Sequence, residues 1–509
     1  MKLGMGKRRL ASSLGSLGSA LIVLSFAPGG ALAGTGHVSA STQFSFSPTG
    51  TATAKGGVSG VSSLSLTSAA TVNGPVFRSG SSSLSFAHNG ILTNPSSGQT
   101  SLTFTKNAVL TAKGTLAGSS ILAFGTSLVS PSALPVGGGW DRVASPSYLA
   151  GKTVVDAPAS LTDGTDRTAT LVAAWNALSS NQALKLPSGT IHTNGSFTLA
   201  SKTGCIMYGY GPNLTIIENA HSSQTAMIVS PPSTGCQFRD FKIYCPNTVA
   251  YGQPNNTGRT SATSGRGIHI ERGVNVAIDN VWIDGPSGAG ILVYRSTGTV
   301  ISYCKAIWTK ADSFHFTGLG SDNNEANHCM SVWSGDDAFA SIGYQGNTVN
   351  NTRFFDNEVY DAWWASGCSF EGSTNGQAKR NKIYRTGIGG LRVASTWSYD
   401  TRSCDNIVLE DNYLEGCVTR TTSGHSSIYL TASTADSPVT NVAIKNCTVV
   451  TPASGSFVQV KASSATSYVS ATMDNTALTG SNTAVTYLNP QYSTFLYQGR
   501  GNTKNGVAL

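Results

Sequence analysis

The chain has 509 residues, of which 11% are charged, 39% are hydrophobic and 57 are glycine. That length suffices for two or three domains, and the charge-poor, glycine-rich profile excludes a mainly helical protein in favour of a turn-rich β fold. The net charge of +8 falls to +4 once residues 1–33 are set aside, since Lys2, Lys7, Arg8 and Arg9 go and no acidic residue does. With no basic run, zinc pattern or basic helix beyond that point, nucleic acid is excluded as an expected partner.

The N-terminus reads as a secretory signal: a basic start, an apolar stretch from Ala20 to Ala27, and Ala31-Leu32-Ala33 as a small-residue cleavage site. The apolar stretch is too short to span a membrane. Export to the periplasm, cell surface or medium is therefore expected, with no integral membrane segment in the mature chain.

Residues 34–136 are rich in Ser, Thr, Gly and Ala. Phe44/Phe46, Leu64/Leu66, Leu84/Phe86, Leu102/Phe104 and Ile121/Phe124 each open a short alternating segment. This spacing predicts stacked hairpins or a strand-rich stalk, against the plainer alternative of a disordered spacer. After a linker at Pro131–Gly139, Asp163-Gly-Thr-Asp166 leads into a helical pattern of Ala169, Leu171, Val172, Trp175 and Leu178. Ala183-Leu-Lys-Leu-Pro187-Ser-Gly189 then reads as a strand entering a turn. Such a helix covers the open end of a solenoid, whose backbone groups and interior would otherwise face water.

From about residue 200 to 485 a polar residue, usually Asn, precedes an aliphatic one by three positions. It recurs at Asp240, Asn280, Cys304, Cys329, Asn357, Asn381, Asn412, Asn446 and Asn475, with intervals of 24, 25, 28, 24, 31, 34 and 29 residues from Asn280 onward. The fold class expected is all-β: a right-handed parallel β-helix over 137–485 with an N-terminal cap helix, preceded by the Ser/Thr/Gly-rich repeat segment and followed by a tail at 486–509. The recurring Asn is expected to form an internal amide ladder. Cys304 and Cys329 hold the same repeat position, so they are expected to stack, as buried thiols or as a disulfide.

Measured from the repeat residue, Asp312 lies at 304 + 8 and Asp337 at 329 + 8, with Asp336 beside it. Equal offsets on neighbouring coils stack about 4.8 Å apart, so three carboxylates should crowd one patch. Such crowding raises a carboxyl pKa and suits proton transfer; a cation site is the structural alternative. By the same offset rule His315 (304 + 11), Cys368 (357 + 11) and Arg392 (381 + 11) share one face. His315 is either a polar sugar contact or a surface histidine. Trp363 and Trp364, with Trp333, Tyr344 and Trp397, are expected on loops beside the cleft, where aromatic faces pack on sugar rings. Glu371 is a further carboxylate nearby.

Asp312 in a short Asp-x-Phe strand, Gly335-Asp336-Asp337 one coil later and Arg392 on a later strand resemble the polygalacturonase-type glycoside hydrolases. The helix entry and the Leu-Pro-Ser-Gly strand resemble the wider pectate-lyase-like superfamily. The resemblance implies Asp336 as general acid, Asp312 and Asp337 as holders of the attacking water, and an inverting mechanism. Two departures matter. Ser366-Gly367-Cys368 stands where that family has Gly-His-Gly, and Ala394 stands where it has the Lys of Arg-x-Lys. The lost Lys argues against a galacturonate ligand, so a neutral polysaccharide, or an exopolysaccharide with sparse acidic sugars, is the expected partner; a similar paired-Asp pattern in bacterial β-helix α-glucanases makes an α-glucan one candidate. No cofactor is expected. A polysaccharide lyase, using Arg392 as base and often calcium, and a non-catalytic tailspike-like binder are the competing readings.

Overall fold

Two units make up the chain, Met1–Asp141 and Arg142–Leu509. The computed structural model describes residues 146–509, apart from Ser222, 247–264 and 421–423, and before them only the backbone of the strands named below.

In the first unit the strands Ile22–Phe26, Thr42–Phe46, Ser62–Leu66, Ser82–Phe86, Thr100–Phe104 and Ile121–Phe124 follow one another in one sheet. Every pair is parallel, with Phe44, Leu64, Leu84, Leu102 and Leu122 in register. The hairpins offered by the sequence reading are therefore corrected to parallel coils, and Ile121 pairs with Ser101 rather than opening the aliphatic row. The reason is length. A repeat of about 20 residues holds a second strand before it returns, as parallel pairing requires. Those second strands, Thr51–Ser59, Thr71–Ser79, Ile91–Pro95 and Val109–Thr111, form a sheet of their own.

The second unit is a parallel solenoid. One wall consists of eleven strands: β1 (Phe197–Leu199), β2 (Met227–Val229), β3 (Ile268–Glu271), β4 (Ile291–Tyr294), β5 (Phe314–Thr317), β6 (Phe339–Ile342), β7 (Cys368–Glu371), β8 (Leu391–Ser395), β9 (Ile428–Ala432), β10 (Val458–Ala462) and β11 (Val485–Leu488). A sheet of 27 strands supplies the other walls. Stacked side chains fill the interior, as with Phe314 on Phe339, whose rings lie 4.8 Å apart at 10°.

The repeat residue serves two different purposes. Tyr303, His328, Asp356, Arg380 and Asp411 take positive φ of 51–58° and turn the chain between walls. The next residue, Cys304, Cys329, Asn357, Asn381 or Asn412, points inward and is fully or almost fully buried. There the expected ladder forms: Asn381 Oδ1 accepts the Asn357 N–H and side-chain amide, each at 3.0 Å, and Asn412 Oδ1 accepts those of Asn381 at 3.0 and 2.9 Å. The Cys329 N–H joins it, donating to Asn357 Oδ1 at 2.8 Å. Asn446 and Asn475, expected in the ladder, are instead the left-handed corner residues, with Cys447 and Thr476 in the buried place. Asn suits both positions, because it tolerates left-handed backbone and also offers a donor and an acceptor. All nine cysteines are buried free thiols, which decides against the disulfide alternative for Cys304 and Cys329.

Helix α1 (Thr168–Asn176) covers the N-terminal end, as expected. It buries Leu171 and Trp175, and the Trp175 indole donates to the Ala200 carbonyl at 2.8 Å. Asp166 is spent on structure: its Oδ1 accepts the Thr168 N–H, the Thr168 hydroxyl and the Asn194 N–H. At the other end, residues 486–509 are not a tail. Ser493–Leu496 and Thr503–Lys504 continue the stack, and Val507–Ala508 closes it as the antiparallel partner of Thr503–Lys504.

Candidate active site

Phe314 and Phe339 are register partners in β5 and β6, so the residues two positions ahead of each, Asp312 and Asp337, stack across one strand spacing. Gly335 makes the approach possible, since a Cβ there would collide with the Lys310 carbonyl. The three carboxylates of Asp312, Asp336 and Asp337 bring oxygens within 4.8 Å of one another. All three side chains are buried, Asp336 at 8% exposure and Asp337 at 3%. Among the described residues this is the set of carboxylates that a cation could bridge.

Hydrogen bonds fix Asp312 and Asp337. Asp312 Oδ1 accepts the Asp337 N–H at 3.0 Å, and its Oδ2 lies 2.7 Å from His315 Nδ1. Asp337 Oδ1 accepts the Ser366 N–H at 2.7 Å. Burial, and then repulsion from Asp312, push the Asp337 carboxyl up to about 7; Arg392 and the Ser366 N–H oppose the rise, and Glu371 adds to it. One proton therefore stays in the cluster near neutrality. It sits on Asp337, where burial and the neighbouring Asp312 favour the neutral carboxyl. Burial and the four surrounding carboxylates hold the Tyr344 phenol far above its usual value, so it remains a neutral donor.

His315 is buried, which decides against a surface histidine. It is 8% exposed and orients Asp312. The outward row on this wall runs His315, Ala340, Ser369, Arg392, Tyr429. Cys368, expected between His315 and Arg392, points into the core between Phe339 and Leu391, because the coil after Asn357 carries one extra residue before β7. Arg392 lies 2.9 Å from Glu371 Oε1. Burial alone would lower the Arg392 pKa, yet Glu371 and Asp337 outweigh it and hold the guanidinium above its ordinary value.

Trp363 is buried and Trp364 half-buried, their rings 6.1 Å apart and nearly perpendicular. Trp333 turns the chain with φ 59° just after the strand Met330–Val332 and stacks on Trp308 at 5.0 Å. Trp397 is 74% exposed. The sequence reading missed Arg420, whose guanidinium lies 3.8 Å from the Trp364 ring centroid and donates to the Trp364 carbonyl at 2.9 Å. It stands at 412 + 8, the offset of Asp312 and Asp337, but on a coil that the sequence reading did not follow, with six more residues before β9 than the preceding coil has before β8.

Residues 266–478 match the family model described as a right handed beta helix region. No curated protein matches the chain in sequence. Among solved structures it resembles the catalytic domain of a glycoside hydrolase family 87 α-1,3-glucanase in complex with nigerose, with a TM-score of 0.52 at 14% identity, covering 74% of this chain and 71% of that one. The catalytic unit of the thermostable α-1,3-glucanase of Streptomyces thermodiastaticus gives 0.48 at 18% identity, covering 70% and 69%. A mannuronan C-5 epimerase A-module of Azotobacter vinelandii gives 0.42 at 14%, covering 67% and 96%. The strand register and the matched region together identify the second unit as a right-handed parallel β-helix.

Proposed function

We propose that this chain is an exported glycoside hydrolase that cleaves a neutral polysaccharide, with Asp312, Asp336 and Asp337 as its catalytic carboxylates. The observation that carries this reading is three buried carboxylates on neighbouring coils, within 4.8 Å, with the Asp337 carboxyl raised to about 7. Glycoside cleavage needs a proton for the leaving oxygen and an ionised carboxylate to activate water in the same pH range. Burial and mutual repulsion supply both states together. We assign delivery of the proton to Asp336, the more exposed of the adjacent pair, recharged from Asp337. As the bond from the anomeric carbon to the leaving oxygen breaks, that oxygen takes the proton, and the attacking water gives one up to Asp312.

The sugar ligand follows from charge. The Arg392 guanidinium is matched by Glu371, and Ala394 leaves no second cation beside it. A uronate carboxylate would gain little there, whereas hydroxyl groups can use His315 Nε2, Glu371 Oε2 and Arg392 Nε, which are buried without a hydrogen-bond partner. The α-1,3-glucanase that shares the fold makes an α-1,3-glucan the first substrate to try.

For the stereochemistry two observations pull apart. Oxygens within 4.8 Å are closer than the roughly 6.5–9.5 Å typical of inverting enzymes. Yet both Asp312 oxygens are engaged, and Asp337 holds the proton and the Ser366 N–H. Neither is an unencumbered nucleophile, and together they are arranged to hold water, so inversion is the expected outcome. Proton NMR of the first-formed anomer checks it, and a retained anomer overturns it. The lyase reading is weaker because an ion-paired Arg392 with a raised pKa is a poor base. An unsaturated product absorbing in the ultraviolet would favour it.

A further inference from the structure

Outside the carboxylates, the segment Trp363–Ser366 is held on two sides beside the site. Three of its bonds touch the catalytic coil, one of them from the Ala338 N–H to the Ser366 carbonyl at 2.9 Å. The Trp363 N–H donates to the Ser334 carbonyl at 3.1 Å, just ahead of Gly335-Asp336-Asp337, and the Ser366 N–H donates to Asp337 Oδ1 at 2.7 Å. On its far side the segment is held by a residue 56 positions later. The Arg420 guanidinium lies over the Trp364 indole at 3.8 Å, and its Nη1 donates to the Trp364 carbonyl at 2.9 Å. Arg420 is itself anchored, its N–H donating to the Gly387 carbonyl at 3.1 Å, while the Gly387 N–H returns to Ala362. A planar, stacked guanidinium that also bonds a carbonyl fixes a neighbouring backbone in a way a lysine cannot.

We propose that Arg420 is a positioning residue: by clamping Trp364 it sets the Ser366 N–H against the Asp337 carboxylate. The consequence is chemical as well as structural. A backbone N–H aimed at a carboxylate favours its charged form, so Ser366 opposes the burial that raises Asp337 and tunes where the cluster gives up its proton. Arg420 adds positive charge in the field of Asp336.

The test uses the full chain with Arg420→Ala and Arg420→Lys. The first measurement needs no substrate: hydrogen exchange, followed by mass spectrometry, in peptides spanning 362–367 and in ladder peptides around Asn381. Exchange at 362–367 is expected to rise at least about tenfold in both variants, with the ladder peptides unchanged, because fixed geometry rather than charge holds the segment. Unchanged exchange in Arg420→Ala overturns the clamp, and wild-type exchange in Arg420→Lys overturns the role of the planar stack. The second measurement rests on the hydrolase reading. The alkaline limb of kcat/KM is expected to move up in Arg420→Ala by at least about half a pH unit, since the charged form of Asp337 loses its donor. A fall in kcat with the limb unmoved would reduce Arg420 to packing and overturn the tuning. A wild-type protein without turnover would sink the hydrolase reading, while the exchange result would still decide the clamp.

Discussion

The raised carboxyl of Asp337 makes opposite demands on stability and activity. Its folded-state pKa of about 7 lies above the ordinary carboxylate value, so the folded state binds more protons across that interval. Stability contributed by this group is therefore fully present below the unfolded pKa and is lost as pH rises through about 7. Asp337→Asn keeps an acceptor for the Ser366 N–H and removes the buried charge. It is expected to stabilise the fold at pH 8 by about 1–3 kcal/mol relative to pH 4, while turnover collapses. Equal denaturation midpoints for wild type and variant at both pH values would contradict the assignment. Asp336→Asn is expected to cost about 10²–10⁴-fold in kcat without changing the melting temperature, the range for loss of a general acid. Retention of near-wild-type kcat would remove Asp336 from the acid role.

At the scale of the element, the coil repeat was legible because each coil must bury the same kind of residue at the same place. That alone aligned Asp312 with Asp337. What stayed hidden were single-residue offsets. Asn is equally at home in the left-handed corner and in the ladder one position later, so Asn446 and Asn475 carried the right residue type at the wrong place. The extra residue before β7 moved Cys368 into the core and brought Ser369 to the active face, and neither consequence shows in composition. Arg392 and Arg420 both stand at repeat offsets, 381 + 11 and 412 + 8, but which side chain each one meets depends on the insertions between coils, which periodicity does not encode. The corrected ladder has a direct check. Asn412→Gly leaves the Asn381 amide and N–H without their acceptor and is expected to cost about 1–3 kcal/mol. Asn446→Gly, at a corner with φ 52°, is expected to cost under about 0.5 kcal/mol, because glycine accepts that backbone freely. Similar losses in urea denaturation would contradict the distinction.

For the whole molecule, the site lies entirely within Arg142–Leu509, a unit with its own cap helix, core and closing strand pair. A chain of residues 142–509 is therefore expected to fold and to keep kcat within about threefold of the full protein, since a unit with its own core folds alone. Loss of cooperative unfolding in that fragment would show that the second unit depends on the first for its stability. The most direct measurement is the release of reducing ends from α-1,3-glucan and a panel of other neutral and acidic polysaccharides, with ultraviolet absorbance followed at the same time and Asp336→Asn run beside wild type. The expected result is reducing ends from a neutral glucan, from wild type alone, without an absorbing product. An absorbing product, or equal release by Asp336→Asn, would contradict hydrolysis by the aspartate cluster.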